Sequence, residues 1–384
     1  MAALPIALVF GWWLGQRWHS RRSGPSGHGH SSGYARGLNY LLNDQPDRAI
    51  DLLVEMVEID SEAVETHLAL GALFRHQGEV ERSIRIHQNL IARPSLSRNE
   101  RTQAMLNLGL DFKQAGINDR AVTQFHKVIT HSRELRVIAL ENLLHIHQHE
   151  KDWQQAIEVA QRLTGKQEDY ALMICHFHCE LVELAIAGRD LRRAAKLMRQ
   201  ASSFGESSPR FLLLQIKLAV VKQKNRVALR WLEKLITLCP EYRLMVLDDF
   251  EDCYVAEFGE GAFIQRIIDL AEDTKSSAAL VCAIADRVER IEGCDAAIAL
   301  LLKQRSKFSS ILLNTKIIAL TGGSESEGGL QAGSVSEVVG DLMAQMMTSA
   351  NEYRCSQCGF IARQLHWRCP GCGDWQSLQI QEII

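Results

Sequence analysis

"LALGALFRHQGEVERSIRIHQNL", residues 68–90, sets small and bulky residues at spacings that a later stretch of the chain repeats. Its Leu70, Gly71, Phe74, Gly78, Ser83 and Leu90 match Leu108, Gly109, Phe112, Gly116, Ala121 and Val128 of "LNLGLDFKQAGINDRAVTQFHKV", residues 106–128, where Phe125 adds a bulky position. An earlier stretch, "YARGLNYLLNDQPDRAIDLLVEM" at residues 34–56, gives Gly37, Tyr40, Ala49, Leu53 and Met56 in the same order. Gly37 to Gly71 is 34 residues and Gly71 to Gly109 is 38, the excess fitting a longer loop around "ARPSLSRNE". A small residue on each of two successive helices lets their axes approach, and the bulky residues between fill the groove so formed.

A period near 34 is that of the tetratricopeptide repeat, a helix-turn-helix unit that stacks into a solenoid. Fainter copies follow at Ala156, at Ala194 or Ala195, and at Ala228, with Pro240 closing "LRWLEKLITLCPEY". Amphipathic segments such as "GAFIQRIIDLAED" and "DAAIALLLKQR" extend the pattern, so residues 34–320 are expected to form one α-solenoid. Only 7 prolines in 384 residues agree with long helices and leave few turn signals for an all-β fold. The solenoid's expected work is protein binding, and Arg75 and Lys113, on first helices of the repeats, are candidate contacts for an acidic segment.

Function classes narrow further. A formal net charge of -3 argues against a general electrostatic hold on nucleic acid. No Gly-rich phosphate loop, nucleophile elbow or paired-carboxylate constellation is present, which lowers an enzyme reading. "LHIHQHEKD" and "CHFHC" look like metal sets, but residues two apart on a helix point about 200° apart and cannot converge on one ion. Cys175 and Cys179, four apart, share a face but at repeat spacing read as core, and the six cysteines outside the tail read as buried thiols of a reducing compartment.

The two ends differ from the middle. Residues 1–18, opening "MAALPIALVFGWWLG", hold no charge before Arg17 and would span roughly 27 Å as a helix, close to a bilayer's hydrocarbon depth. Nothing basic precedes this run, so a cleaved signal peptide fits poorly, whereas Arg17, Arg21 and Arg22 behind it place the rest of the chain in the cytoplasm. Residues 19–33 read as a Gly/Ser tether in which His28 and His30 are spacer. A second linker is expected at 321–333, a connecting helix at 334–350 and a metal domain at 351–384. In that domain Cys355, Cys358, Cys369 and Cys372 form two Cys-x-x-Cys knuckles, with Gly359 and Gly373 free to adopt positive φ behind them. A hairpin through "GFIARQLHW" would join the knuckles, and Tyr353, Phe360, Trp367 and Trp375 would supply a small apolar shell. Four thiolates leave no open coordination position, so one Fe or Zn ion is expected in a structural role. The fold class is thus all-α: a tetratricopeptide-repeat solenoid with an N-terminal membrane helix and a small rubredoxin-like or zinc-ribbon metal domain.

An N-terminal span, such an array and the terminal "YRCSQCGFIARQLHWRCPGCGDW" together resemble the lipopolysaccharide assembly protein B family of Gram-negative bacteria. The resemblance implies an adaptor on the cytoplasmic face of the inner membrane. It would present the UDP-3-O-acyl-N-acetylglucosamine deacetylase of lipid A synthesis to a membrane-bound ATP-dependent zinc protease, and an inner-membrane antagonist would relieve that control. A general scaffold for envelope biogenesis and a rubredoxin-like electron carrier are the other readings. Homodimerisation through an uncapped solenoid end is compatible with all three.

Overall fold

The computed structural model describes residues 36, 39–40, 45–59, 63–163, 170–308, 310–324 and 353–380. The expected membrane span, tether and connecting helix lie outside these residues. The chain divides into two compact units, one ending at Ile146 and one beginning at His147.

In the first unit, helices α1 (Pro46–Ile59), α2 (Val64–His76), α3 (Val80–Ile91), α4 (Arg98–Gln114) and α5 (Asn118–His131) pack each on the next, and α6 (Arg136–His149) begins. The small residues act as their spacing requires. A Cβ placed on Gly109 would stand 2.7 Å from the ring of Phe125, and one on Gly71 would stand 2.5 Å from the ring of His87. Ser83 and Ala121, opposite them, are fully buried. Helix α4 starts at a reciprocal capping box in which the Glu100 amide donates to Ser97 and the Ser97 amide donates to Glu100.

A buried polar cluster ties three helices of this unit together. Asp111 of α4 accepts from Arg75 Nη1 of α2 at 2.6 Å and lies 2.5 Å from His87 Nδ1 of α3. Ser83 Oγ sits 2.7 Å from both Asp111 Oδ1 and the Gly71 carbonyl. A carboxylate with no exposed side-chain surface needs such partners, since an unpaired one would cost several kcal/mol.

The second unit continues through α7 (Trp153–Leu163), α8 (Tyr170–Ala187), α9 (Leu191–Gly205), α10 (Pro209–Val221), α11 (Asn225–Leu238), α12 (Leu247–Phe258), α13 (Glu260–Glu272), α14 (Ala278–Glu292), α15 (Cys294–Gln304) and α16 (Ile311–Ser324). Ala156, Ala194 and Ala228 have no exposed surface, so of the paired alternatives Ala194, not Ala195, is the crossing residue. Helix α16 runs to Ser324, past Thr321 where linker composition begins, and the Thr321 hydroxyl bonds the Ile317 carbonyl. One turn recurs along the array: Gly78, Gly116, Lys151, Arg189 and Gln223 all take positive φ, between 54° and 84°. The later copies keep this left-handed turn after losing its glycine.

After the array comes a three-stranded antiparallel sheet of order β2-β1-β3, from β1 (Tyr353–Cys355), β2 (Ile361–Ala362) and β3 (Leu378–Ile380). Tyr353 pairs with Ala362 on one side and Ile380 on the other. The hairpin expected through residues 359–367 is not formed there: β1 precedes the first knuckle and pairs with β2 across it, so the knuckle itself is the turn, and β3, beyond the second knuckle, closes the other edge.

Two substitution sets test the packing argument. Gly109→Val should destabilise by about 2 kcal/mol through overpacking against Phe125, whereas Lys151→Gly and Gln223→Gly should each stabilise by up to about 1 kcal/mol by relieving left-handed strain. Denaturant midpoints of the variants supply the check.

Candidate metal centre and its seat

The two knuckles are closed by their own backbone. The Gly359 amide donates to the Cys355 carbonyl at 3.0 Å and the Gly373 amide to the Cys369 carbonyl at 2.9 Å, with φ of 76° and 77° at the two glycines. All four sulfurs lie within 4.8 Å of one another, with Cys355 and Cys372 Sγ 3.7 Å apart and Cys358 and Cys369 Sγ 3.6 Å apart. A tetrahedron of bonds about 2.3 Å long has edges of about 3.8 Å, so the spacing fits one tetrathiolate ion. Cys355 and Cys369 are buried while Cys358 and Cys372 are exposed.

Electrostatics point the same way. The Ser377 hydroxyl, 3.3 Å from Cys355 Sγ, draws that thiol down to about 6. At Cys372 the Asp374 amide favours the thiolate, but desolvation and the other three sulfurs outweigh it and push the thiol up to about 12. Four like charges in this space repel one another, and a divalent cation relieves that repulsion by displacing the protons. An ion held by these four cysteines would neutralise and crosslink them, and the closed ligand set offers no position for substrate.

The module's own core is Cys355, Ala362, Cys369 and Leu378, with Tyr353 and Leu365 packed against it. Of the four aromatics expected in that shell, Tyr353 is there and the other three are elsewhere. Trp367 and Trp375 face the helices of the second unit, and Phe360 is on the surface, 37% exposed. Trp375 stacks on His176 of α8 with centroids 5.0 Å apart, and meets Phe177 at 5.7 Å and Trp153 of α7 at 6.1 Å edge-on. Trp367 stacks on Tyr242 at 5.9 Å. The guanidinium of Arg210, at the start of α10, lies 5.8 Å from the Trp367 ring and 5.9 Å from the Trp375 ring. Arg210 is 2% exposed and donates to Glu180 at 2.9 Å and Glu183 at 3.0 Å, and those carboxylates hold its pKa up against burial. Ser208 Oγ donates to Gln376 at 3.0 Å.

The "CHFHC" segment thus contributes to this seat. Cys175 and Cys179 are core as expected, His176 lies under the module, and His178 stacks on Phe204. Histidines 145, 147 and 149 alternate exposed, buried, exposed along α6, as helix geometry requires. Arg75 is engaged by Asp111 and Asn107, and Lys113 donates to Asn142 at 2.9 Å; burial lowers the Lys113 pKa.

A family model described as the rubredoxin metal binding domain matches residues 353–379. Lipopolysaccharide assembly protein B of Escherichia coli strain K12 is 34% identical over 382 residues, covering 98% of this chain and 96% of that protein. The chain belongs to the lipopolysaccharide assembly protein B family. The Haemophilus influenzae protein of the same name is 28% identical over 386 residues, covering 98% and 96%. Among solved structures, the C-terminal part of a TPR repeat-containing protein from Cytophaga hutchinsonii aligns at 11% identity and a TM-score of 0.38, over 78% of this chain and 97% of that one. As a member of the lipopolysaccharide assembly protein B family, the chain combines repeats with a tetracysteine module, and both parts are present here.

Purified protein should carry one metal ion per chain, and Cys369→Ser should lose it; elemental analysis after dialysis reads this directly. A second expectation concerns pH. Burial, with the Arg210 charge beside it, depresses the His176 imidazole to about 3 from an ordinary 6.5. The seated ring binds fewer protons than the free ring, so its contribution is intact above pH 6.5 and is lost as pH falls below that. The seat should therefore loosen by up to about tenfold per pH unit below 6.5, beyond any slope from the thiolates, and His176→Phe should remove that excess in tryptophan fluorescence titrations.

Proposed function

We propose that this protein is a non-catalytic adaptor that regulates lipopolysaccharide synthesis. In this reading residues 1–18 hold it at the inner membrane with the rest of the chain in the cytoplasm. The repeats then bring the lipid A deacetylase to a membrane-bound ATP-dependent zinc protease, and an inner-membrane antagonist opposes the encounter. The observation that carries the reading is identity of 34% and 28% over 98% of this chain with proteins named for lipopolysaccharide assembly. A repeat match alone would point to any scaffold.

The side chains add support. Repeat solenoids offer extended surfaces for partner proteins. Lys113 is half-buried, and its bond to the neutral Asn142 is one that a partner's carboxylate could displace. Arg75 would have to share itself with Asp111, and so would add a weaker contact. The metal is structural in this reading, Fe or Zn serving equally to order the module.

The test is the half-life of the deacetylase after translation is blocked, in cells carrying the protein, lacking it, or carrying Cys355→Ser. Loss should lengthen the half-life, and the variant should leave it long. An unchanged half-life on loss would instead favour a scaffold that gathers biosynthetic enzymes without directing degradation.

A further inference from the structure

The second knuckle and the seat are built from the same few residues. Cys369 to Gly373 is the turn of a small hairpin whose stems are Trp367–Arg368 and Asp374–Gln376. The stems are joined by the Cys369 amide on the Asp374 carbonyl at 2.8 Å, the Gln376 amide on the Trp367 carbonyl at 2.7 Å, and an antiparallel bridge between Arg368 and Trp375. The two indoles that meet the helices therefore project from the stems of the turn that supplies two of the four thiolates. Arg368 stiffens the unit further, donating from Nε to the Gly373 carbonyl at 3.1 Å.

On the solenoid side, Arg210 belongs to both halves of the contact. Its carboxylate partners Glu180 and Glu183 come from α8, and its remaining exposure is removed by the rings of Trp367 and Trp375. The seat also has a weakness: the indole N–H of Trp375 is buried without a hydrogen-bond partner. An unpaired buried donor is a cost of seating, so the contact holds only while its other partners are well placed.

We infer that metal binding at the four thiolates and seating of the module on α8 and α10 are one linked equilibrium, transmitted through Trp367, Trp375 and Arg210. This rests on the tetrathiolate reading of the site. Metal loss loosens the second knuckle, scatters the two indoles and releases the module from the helices, which uncovers Arg210 and His176. Linkage is reciprocal: whatever favours seating must favour metal retention by the same factor. A substitution on the helices, at a residue that supplies no ligand, therefore alters the metal site. Arg210 is in this sense a positioning residue for a metal it does not touch.

The full chain loaded with zinc provides the test, with metal content per chain measured first. A chain that takes up neither zinc nor iron overturns the metal reading itself. For the zinc-loaded chain, hydrogen exchange is followed at residues 170–187 and 209–221 before and after zinc is withdrawn by a chelator, and zinc affinity is measured by equilibrium competition with the chelator in the parent, Arg210→Met and Ser208→Ala. The expected result is faster exchange in both helices once zinc leaves, and zinc affinity about tenfold weaker in Arg210→Met, a typical coupling size, with a smaller effect in Ser208→Ala. Unchanged exchange on zinc withdrawal overturns the linkage while leaving the metal reading intact, and that arm needs no substitution. Equal zinc affinity in the parent and a normally helical Arg210→Met also overturns it.

Discussion

A guanidinium with 2% of its surface exposed, caught between two carboxylates and two indoles, is the group on which the seat of the metal module depends. Removing a cation from water costs several kcal/mol even after relaxation, and only well-placed partners repay it. Glu180 and Glu183 supply the charge, but they stand 28% and 42% exposed and cannot shield Arg210 on every side. The rings of Trp367 and Trp375 cover the rest with a face that attracts a cation while excluding water. Helix α8, which bears the carboxylates, and the metal module, which bears the rings, are thereby committed to each other.

Helix α8 meets that demand by being unusually apolar. It is 18 residues long with a mean hydropathy of 1.4, enough by length and composition to cross a membrane. Its burial explains the composition differently. Ile174, Cys175, Phe177, Cys179 and Val182 have no exposed surface, and the helix packs against α7, α9 and α10. A helix covered on most sides by neighbours is apolar all round for the same reason a membrane span is. With the module seated over His176 and Phe177, part of the helix surface a partner could use is already occupied by the chain itself.

What was legible in the sequence follows how local the physics is. Gly71, Gly109, Ala121, Ala156 and Ala228 announce helix crossings because close approach is a demand on one residue type at a fixed spacing. Gly359 and Gly373 announce knuckles because a left-handed turn behind a ligand is equally local. The later repeats looked faint because Lys151, Arg189 and Gln223 hold the left-handed turn without glycine, so strain borne by an ordinary residue hides the signal. The seat was not legible. Ser208 and Gln376 are 168 positions apart, and an aromatic residue near a small metal site reads naturally as that site's own shell. The surplus was the available clue: a module whose core is two cysteines, an alanine and a leucine has no room inside for two tryptophans as well.

The same economy explains why metal suits this position better than a larger core. Residues 353–380 enclose a core of only four buried residues, too small to order a segment of this length by itself. A tetrathiolate crosslink fixes two turns within a few ångströms while leaving the large side chains free to point outward. Trp367 and Trp375 can then be used against the helices, and Phe360 and Ile361 can remain on the surface, 37% and 57% exposed. A hydrophobic core of equal stability would have had to turn those aromatics inward. Holding the module by its metal rather than its core is what allows so short a segment to present apolar surface in more than one direction.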